Sequence, residues 1–177
     1  NDRVMSGGPL VFDKPGAADA KIINHGTITA REAGLVGLVA PTVENHGVIR
    51  ANMGRVHLAS GDTATVDFYG DGLLEVAVSG KVNRQLVTNT GLIEANGGKV
   101  ALTAAAGRDI VNSAINVGGT IRAQTAGGKQ GEITIAAAGA NGTGKSTLFK
   151  LIAGELHADG GSINLLRNRG DAILQAS

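Results

Sequence analysis

A parallel β-helix, an all-β solenoid, is what this sequence predicts, and three observations carry the prediction. A seven-residue motif recurs, apolar residues alternate strictly within each copy, and the composition suits a narrow core. The motif reads N-x-G-x-I-x-A in Asn24–Ala30, Asn45–Ala51 and Asn89–Ala95, with looser copies at Val117–Ala123 and Ile152–Ala158. Each copy is followed by a Gly-rich corner and a second short segment, G-x-V-x-L: Gly34–Leu38, Gly54–Leu58, Gly98–Leu102, Gly131–Ile135 and Gly161–Leu165. A unit of about 20 residues that cannot bury its own apolar face must stack on its neighbours.

Within a copy, Ile49, Ala51, Val56 and Leu58 fall on one face, and Arg50, Arg55 and His57 on the other. A period of two denotes half-buried strands. Glycine supplies 28 of 177 residues, and aromatics only 2%. Such a chain builds its core from layers of Ile, Val, Leu and Ala. The asparagines at 24, 45 and 89 are expected to form a ladder that satisfies backbone groups at the corner. A sandwich of hairpins is the competing fold, but it favours two-residue Asn-Gly or Asp-Gly loops rather than a spacing that repeats.

The motif alanines, at 30, 51, 95, 123 and 158, are separated by 21, 44, 28 and 35 residues. The 44-residue step is read as two turns of chain, the middle one degenerate around Gly72–Val76. The chain is read as one domain over 1–177. Residues 1–21 form an irregular cap, 22–135 the repeats, 136–153 an inserted loop, and 154–177 a final copy and tail.

Several function classes are excluded or weakened. Lys and Arg total 16 against 15 Asp and Glu, a net charge of +1. A nucleic-acid binder would carry a basic excess. The absence of cysteine removes disulfides, thiolate nucleophiles and zinc-thiolate centres. No apolar run is long enough to span a membrane. Asn1–Leu10 lacks the pattern of a signal peptide, so for an exported protein the signal is expected upstream.

The segments Ile22–Ile28, Gly34–Pro41 and Ala64–Asp71 resemble filamentous-haemagglutinin-type exoproteins, over residues 1–135 and again 154–177. The resemblance implies a right-handed helix of strands. It also implies export through an outer-membrane two-partner transporter and a place outside a Gram-negative cell. The role would be that of a stalk or adhesive segment facing a host or bacterial surface. The family's Asn-Pro-Asn secretion motifs are not in this sequence.

Gly139–Ser146, GANGTGKS, satisfies G-x-x-x-x-G-K-[ST] in full. In a phosphate loop, backbone N–H groups close on the phosphates, the lysine neutralises β/γ oxygens and the hydroxyl holds Mg²⁺. The candidate binding residues are Gly139, Asn141, Gly142, Gly144, Lys145, Ser146 and Thr147. The loop needs a strand before it, for which Gly131–Ala138 qualifies, and a helix after it. Residues 147–153 read as a short helix or as a strand. The stretch Gly139–Leu156, with Asp159–Ile163 behind it, is similar to ATP-binding-cassette ATPases. This implies ATP and Mg²⁺ as ligands. The 31 residues after Ser146 hold no apolar run ending in Asp-Glu and no Leu-Ser-Gly-Gly-Gln, so no catalytic residue is assigned and no enzyme is expected. Gly154–Leu165 also overlays Gly91–Leu102, so the same residues fit the repeat. A recombined or engineered chain and a coincidence within a Gly-rich repeat both remain open.

Arg169-Gly170-Asp171 is an integrin-type tripeptide, and Gly170 aligns with the corner Gly107. His25 and His46 fall at one place in successive copies, so they should stack about 5 Å apart, as adjacent strands do. No third ligand is spaced for a metal. The main expectation is a structural or adhesive segment without cofactor. The alternative is a nucleotide-binding loop on a strand scaffold. Exposed strand edges need caps, and failing those, end-to-end self-association is expected.

Overall fold

The computed structural model describes residues 6, 8–66, 74–77, 84–106, 112–139, 156–157 and 162–166. Every regular element among them is a strand. In chain order these are β1 (Leu10–Phe12), β2 (Lys21–Asn24), β3 (Thr27–Thr29), β4 (Leu35–Ala40), β5 (Thr42–Asn45) and β6 (Val48–Arg50). There follow β7 (Arg55–Ser60), β8 (Thr63–Val66), β9 (Leu74–Ala77), β10 (Arg84–Asn89), β11 (Leu92–Glu94) and β12 (Lys99–Ala106). The last are β13 (Asn112–Val117), β14 (Thr120–Arg122), β15 (Glu132–Gly139), β16 (Leu156–His157) and β17 (Ser162–Leu166).

Three sheets are parallel. Their strand orders are β13-β10-β5-β2, β16-β14-β11-β6-β3 and β17-β15-β12-β7-β4. Each motif copy gives one strand to the second sheet and its G-x-V-x-L partner one strand to the third. Successive copies pair position for position. Ile28, Ile49, Ile93, Ile121 and Leu156 form one register column. Leu38, Leu58, Leu102, Ile135 and Leu165 form another. Ile49, Ile93, Ile121, Leu58, Leu102 and Ile135 of these columns belong to the main core, in which Ile49, Leu58, Ile93, Leu102 and Ile121 have no exposed surface.

The corners follow from backbone sterics. Ala33, Met53 and Gly97 hold equivalent corner positions, with φ of 59°, 57° and 67°. The motif glycine answers a close approach of main chains. A Cβ on Gly47 would overlap the carbonyl oxygen of Gly26, on Gly91 that of Gly47, and on Gly119 that of Gly91.

The fourth sheet corrects the expectation of a single right-handed parallel β-helix. It is antiparallel, in the order β1-β8-β9, so the architecture is a mixed set of four sheets. The 44-residue step is corrected with it. Asn45 pairs directly with Asn89, and Ile49 with Ile93, so no middle copy intervenes. Leu74–Ala77, read as part of a degenerate copy, instead runs antiparallel to Thr63–Val66. The stretch 61–83 lacks the motif, so it has nothing to place it in the parallel register. Its alternating Ala64 and Val66 instead join Leu10 against Ala59, Leu35 and Val39 on the third sheet's outward face, forming a second, smaller core. Leu10–Phe12 falls in the stretch read as an irregular cap and is a strand of this sheet.

Candidate functional site

The glycine that opens the GANGTGKS stretch is the last residue of β15. Alternation directs Ile133 and Ile135 inward, each 1% exposed. On the opposite face, the Glu132 carboxylate accepts from Thr134 Oγ1 at 3.3 Å and pairs with Lys99 Nζ at 3.0 Å. β15 lies between β12 and β17, and Gly139 pairs with Ala106. A parallel strand thus leads straight into the loop, which is the order a phosphate loop requires. Asn141, Gly142, Gly144, Lys145, Ser146 and Thr147 lie outside the described residues, as do 147–153 and Arg169, Gly170 and Asp171. The described chain resumes at Leu156–His157, which pairs in parallel with Ile121 and Arg122.

On the second sheet, outward charges pair across neighbouring strands. Glu94 takes Arg50 Nε at 3.4 Å and Arg122 at 4.0 Å on its two oxygens. Its Oε1 also accepts from Asn96 Nδ2 at 3.0 Å. Exposed pairs of this kind contribute little stability each. Among the described residues no group of three or more His, Asp or Glu could hold a metal ion.

The asparagine corner is a continuous ladder. Asn24 Nδ2 donates to Asn45 Oδ1 at 2.8 Å, and Asn45 Nδ2 donates to Asn89 Oδ1 at 2.7 Å. Asn89 passes its own donor to the carbonyl oxygen of Gly91 at 3.3 Å. One residue on, the His25 and His46 rings stack with centroids 5.0 Å apart and planes at 16°. The His46 ring nitrogens are taken by Thr90 Oγ1 at 2.6 Å and Glu44 Oε2 at 2.9 Å. These side chains form stacking and hydrogen-bond contacts, with no donor set for a ligand.

Three buried polar groups among the described residues escaped the sequence reading, and one of them, Ser60, donates to the Pro41 carbonyl oxygen at 2.7 Å. Alternation places His57 on the outward face, yet it is 8% exposed. It shares that face with Ala59, which the antiparallel sheet covers. Its Nε2 lies 2.8 Å from Thr103 Oγ1, and burial lowers its pKa to about 4. Gln85 is 1% exposed, and neither side-chain amide atom has a hydrogen-bond partner among the described residues. The available signal was an amide at the inward positions 85 and 89 of an otherwise apolar alternation.

The sequence model of the ABC transporter family matches residues 126–175, less than a third of the chain. The matched stretch holds the whole phosphate-loop motif together with β15, β16 and β17. No curated protein and no solved structure matches the chain. The filamentous-haemagglutinin resemblance is without support from these comparisons. The comparison that does succeed points to a P-loop segment of the ABC transporter type.

Proposed function

We propose that residues 126–175 act as a nucleotide-binding module, with Gly139–Thr147 as its phosphate loop, carried by the stacked strands that precede it. The ABC transporter match over this stretch carries the reading, and the position of Gly139 at the end of β15 supports it. The donor set suits a polyphosphate. Glycines at 139, 142 and 144 leave backbone N–H groups free of side-chain obstruction, Lys145 brings a fixed positive charge, and Ser146 and Thr147 bring hydroxyls. Bound Mg²⁺ would neutralise phosphate charge, with the Ser146 hydroxyl among its ligands. Lys145 would hold the β- and γ-phosphate oxygens by charge-assisted hydrogen bonds, each contributing about 1.5–3 kcal/mol. ATP turnover belongs to the same reading, because the matched family comprises transport ATPases.

Isothermal titration with ATP and Mg²⁺, on the wild type and Lys145→Ala in parallel, tests it. Micromolar binding that weakens at least about tenfold in the variant is the expected result. Phosphate release on the same samples reports turnover. No binding heat in the wild type, or equal binding by both proteins, overturns the proposal.

A further inference from the structure

Among the described residues, the parallel sheets end on an edge with no strand beyond it. β2, β3 and β4 are the first strands of their sheets, with a neighbour on one side only. Ile22, Ile28, Ala30 and Leu38 on this edge are partly buried. Their register partners one copy along, Val43, Ile49, Ala51 and Leu58, are 0% exposed. The edge therefore presents the apolar columns of the core with one layer missing.

Gly26 is the second, independent sign. At Gly47, Gly91 and Gly119 the motif glycine is forced by the main chain of the preceding copy. At Gly26 an added Cβ would meet only Asn24 Oδ1, at 3.9 Å, and its φ is not in the left-handed region. A glycine in a strand-rich segment costs backbone entropy relative to alanine. Nothing among the described residues calls for one at position 26. The position has the form of one that receives another layer of the same repeat.

The opposite end supplies that layer. Among the described residues, the second and third sheets end on β16 and β17, again with one neighbour each. Both are parallel to every other strand of their sheets. Leu156 continues the column of Ile28, and Leu165 that of Leu38. The motif glycine of this last copy is Gly154. We propose that a second copy of this chain docks head to tail, with its β16 and β17 adding in parallel to β3 and β4, and that the contact repeats to give open-ended filaments. The pairing that joins copies within the chain would then continue between chains, by strand addition at an open edge. Such a heterologous contact does not close on itself.

Sedimentation velocity over a wide concentration range tests this on the wild type, Gly26→Val and Gly26→Ala, with circular dichroism confirming that each folds. The expected wild-type result is a concentration-dependent ladder of species running past the dimer. Gly26→Val should be monomeric, and Gly26→Ala should associate at least about tenfold more weakly. A wild type that stays monomeric, one that stops at a closed dimer, or association that survives both substitutions overturns the proposal. In the last case Phe12→Asp would locate the contact on the antiparallel sheet.

Discussion

The parallel sheets and the antiparallel sheet bury apolar surface by different routes. In the parallel set each Ile, Val or Leu is covered by its counterpart in the next copy, and Ile49, Ile93 and Ile121 reach 0% exposure without a single aromatic. In the antiparallel sheet Ala64 and Val66 are covered by dissimilar neighbours, among them Ala59, Leu35 and Val39 of the third sheet, while Val11 and Phe12 stay 45% and 54% exposed. Repetition lets small side chains make a complete core, because a fit solved once is reused in every layer. The non-repeating sheet has no such template and closes on whichever outward face is apolar.

The largest expected effect tests the reuse of that fit. Gly91→Ala places a methyl group against the main chain of Gly47. It should destabilise by at least about 3 kcal/mol in urea unfolding, since neither backbone can yield. Gly37→Ala, where nothing lies within 4 Å, should stay within about 0.5 kcal/mol. Equal effects at the two sites would mean that the close stacking of copies is wrong.

A smaller effect belongs to the ladder. Asn45→Ala removes two side-chain bonds and leaves Asn24 Nδ2 and Asn89 Oδ1 buried without partners. The expected loss is about 2–3 kcal/mol, read from the same unfolding curves. A loss under about 0.5 kcal/mol would show that the ladder adds no more than an exposed contact.

The smallest effect separates the two regions by pH. Folded His57 titrates near 4, and the unfolded residue near 6.5. The unfolded chain therefore binds the proton first, and stability is full above pH 6.5. Stability falls as the pH drops from 6.5 toward 4, by up to about 1.4 kcal/mol per unit. At pH 5.5 the loss should be about 1.4 kcal/mol. His57→Gln, which can still bond Thr103, should remove that component. Identical pH profiles for the two proteins would mean that the antiparallel sheet does not keep His57 dry.

The repeat was legible in its columns, though not in the step from 45 to 89, where a middle copy was expected and the two copies pair directly. The alignment of Asn24, Asn45 and Asn89 is the observed strand pairing, and the expected ladder and histidine stack are both present. Residues 61–83 were not legible, because Gly72–Val76 alternates like a copy of the repeat, and alternation alone does not tell a parallel strand from an antiparallel one. His57 was misread for a related reason, since period two assigns a face and not what covers it. Of the candidate site, the sequence supplied the motif and the strand before it, and β15 ends on its first glycine.

By itself, then, the sequence determined which residues share a column of the repeat. Identical side chains at a fixed spacing pair best with their own kind, and a one-residue slip would turn every apolar side chain outward. It also determined the phosphate-loop motif, whose chemistry is local. Only the tertiary structure decided that Thr63–Val66 leaves the parallel register, that the third sheet carries a second core on its outer face, and that no main chain among the described residues crowds Gly26. Those outcomes depend on which surfaces meet, and burial between segments that share no repeat is not written in either segment alone.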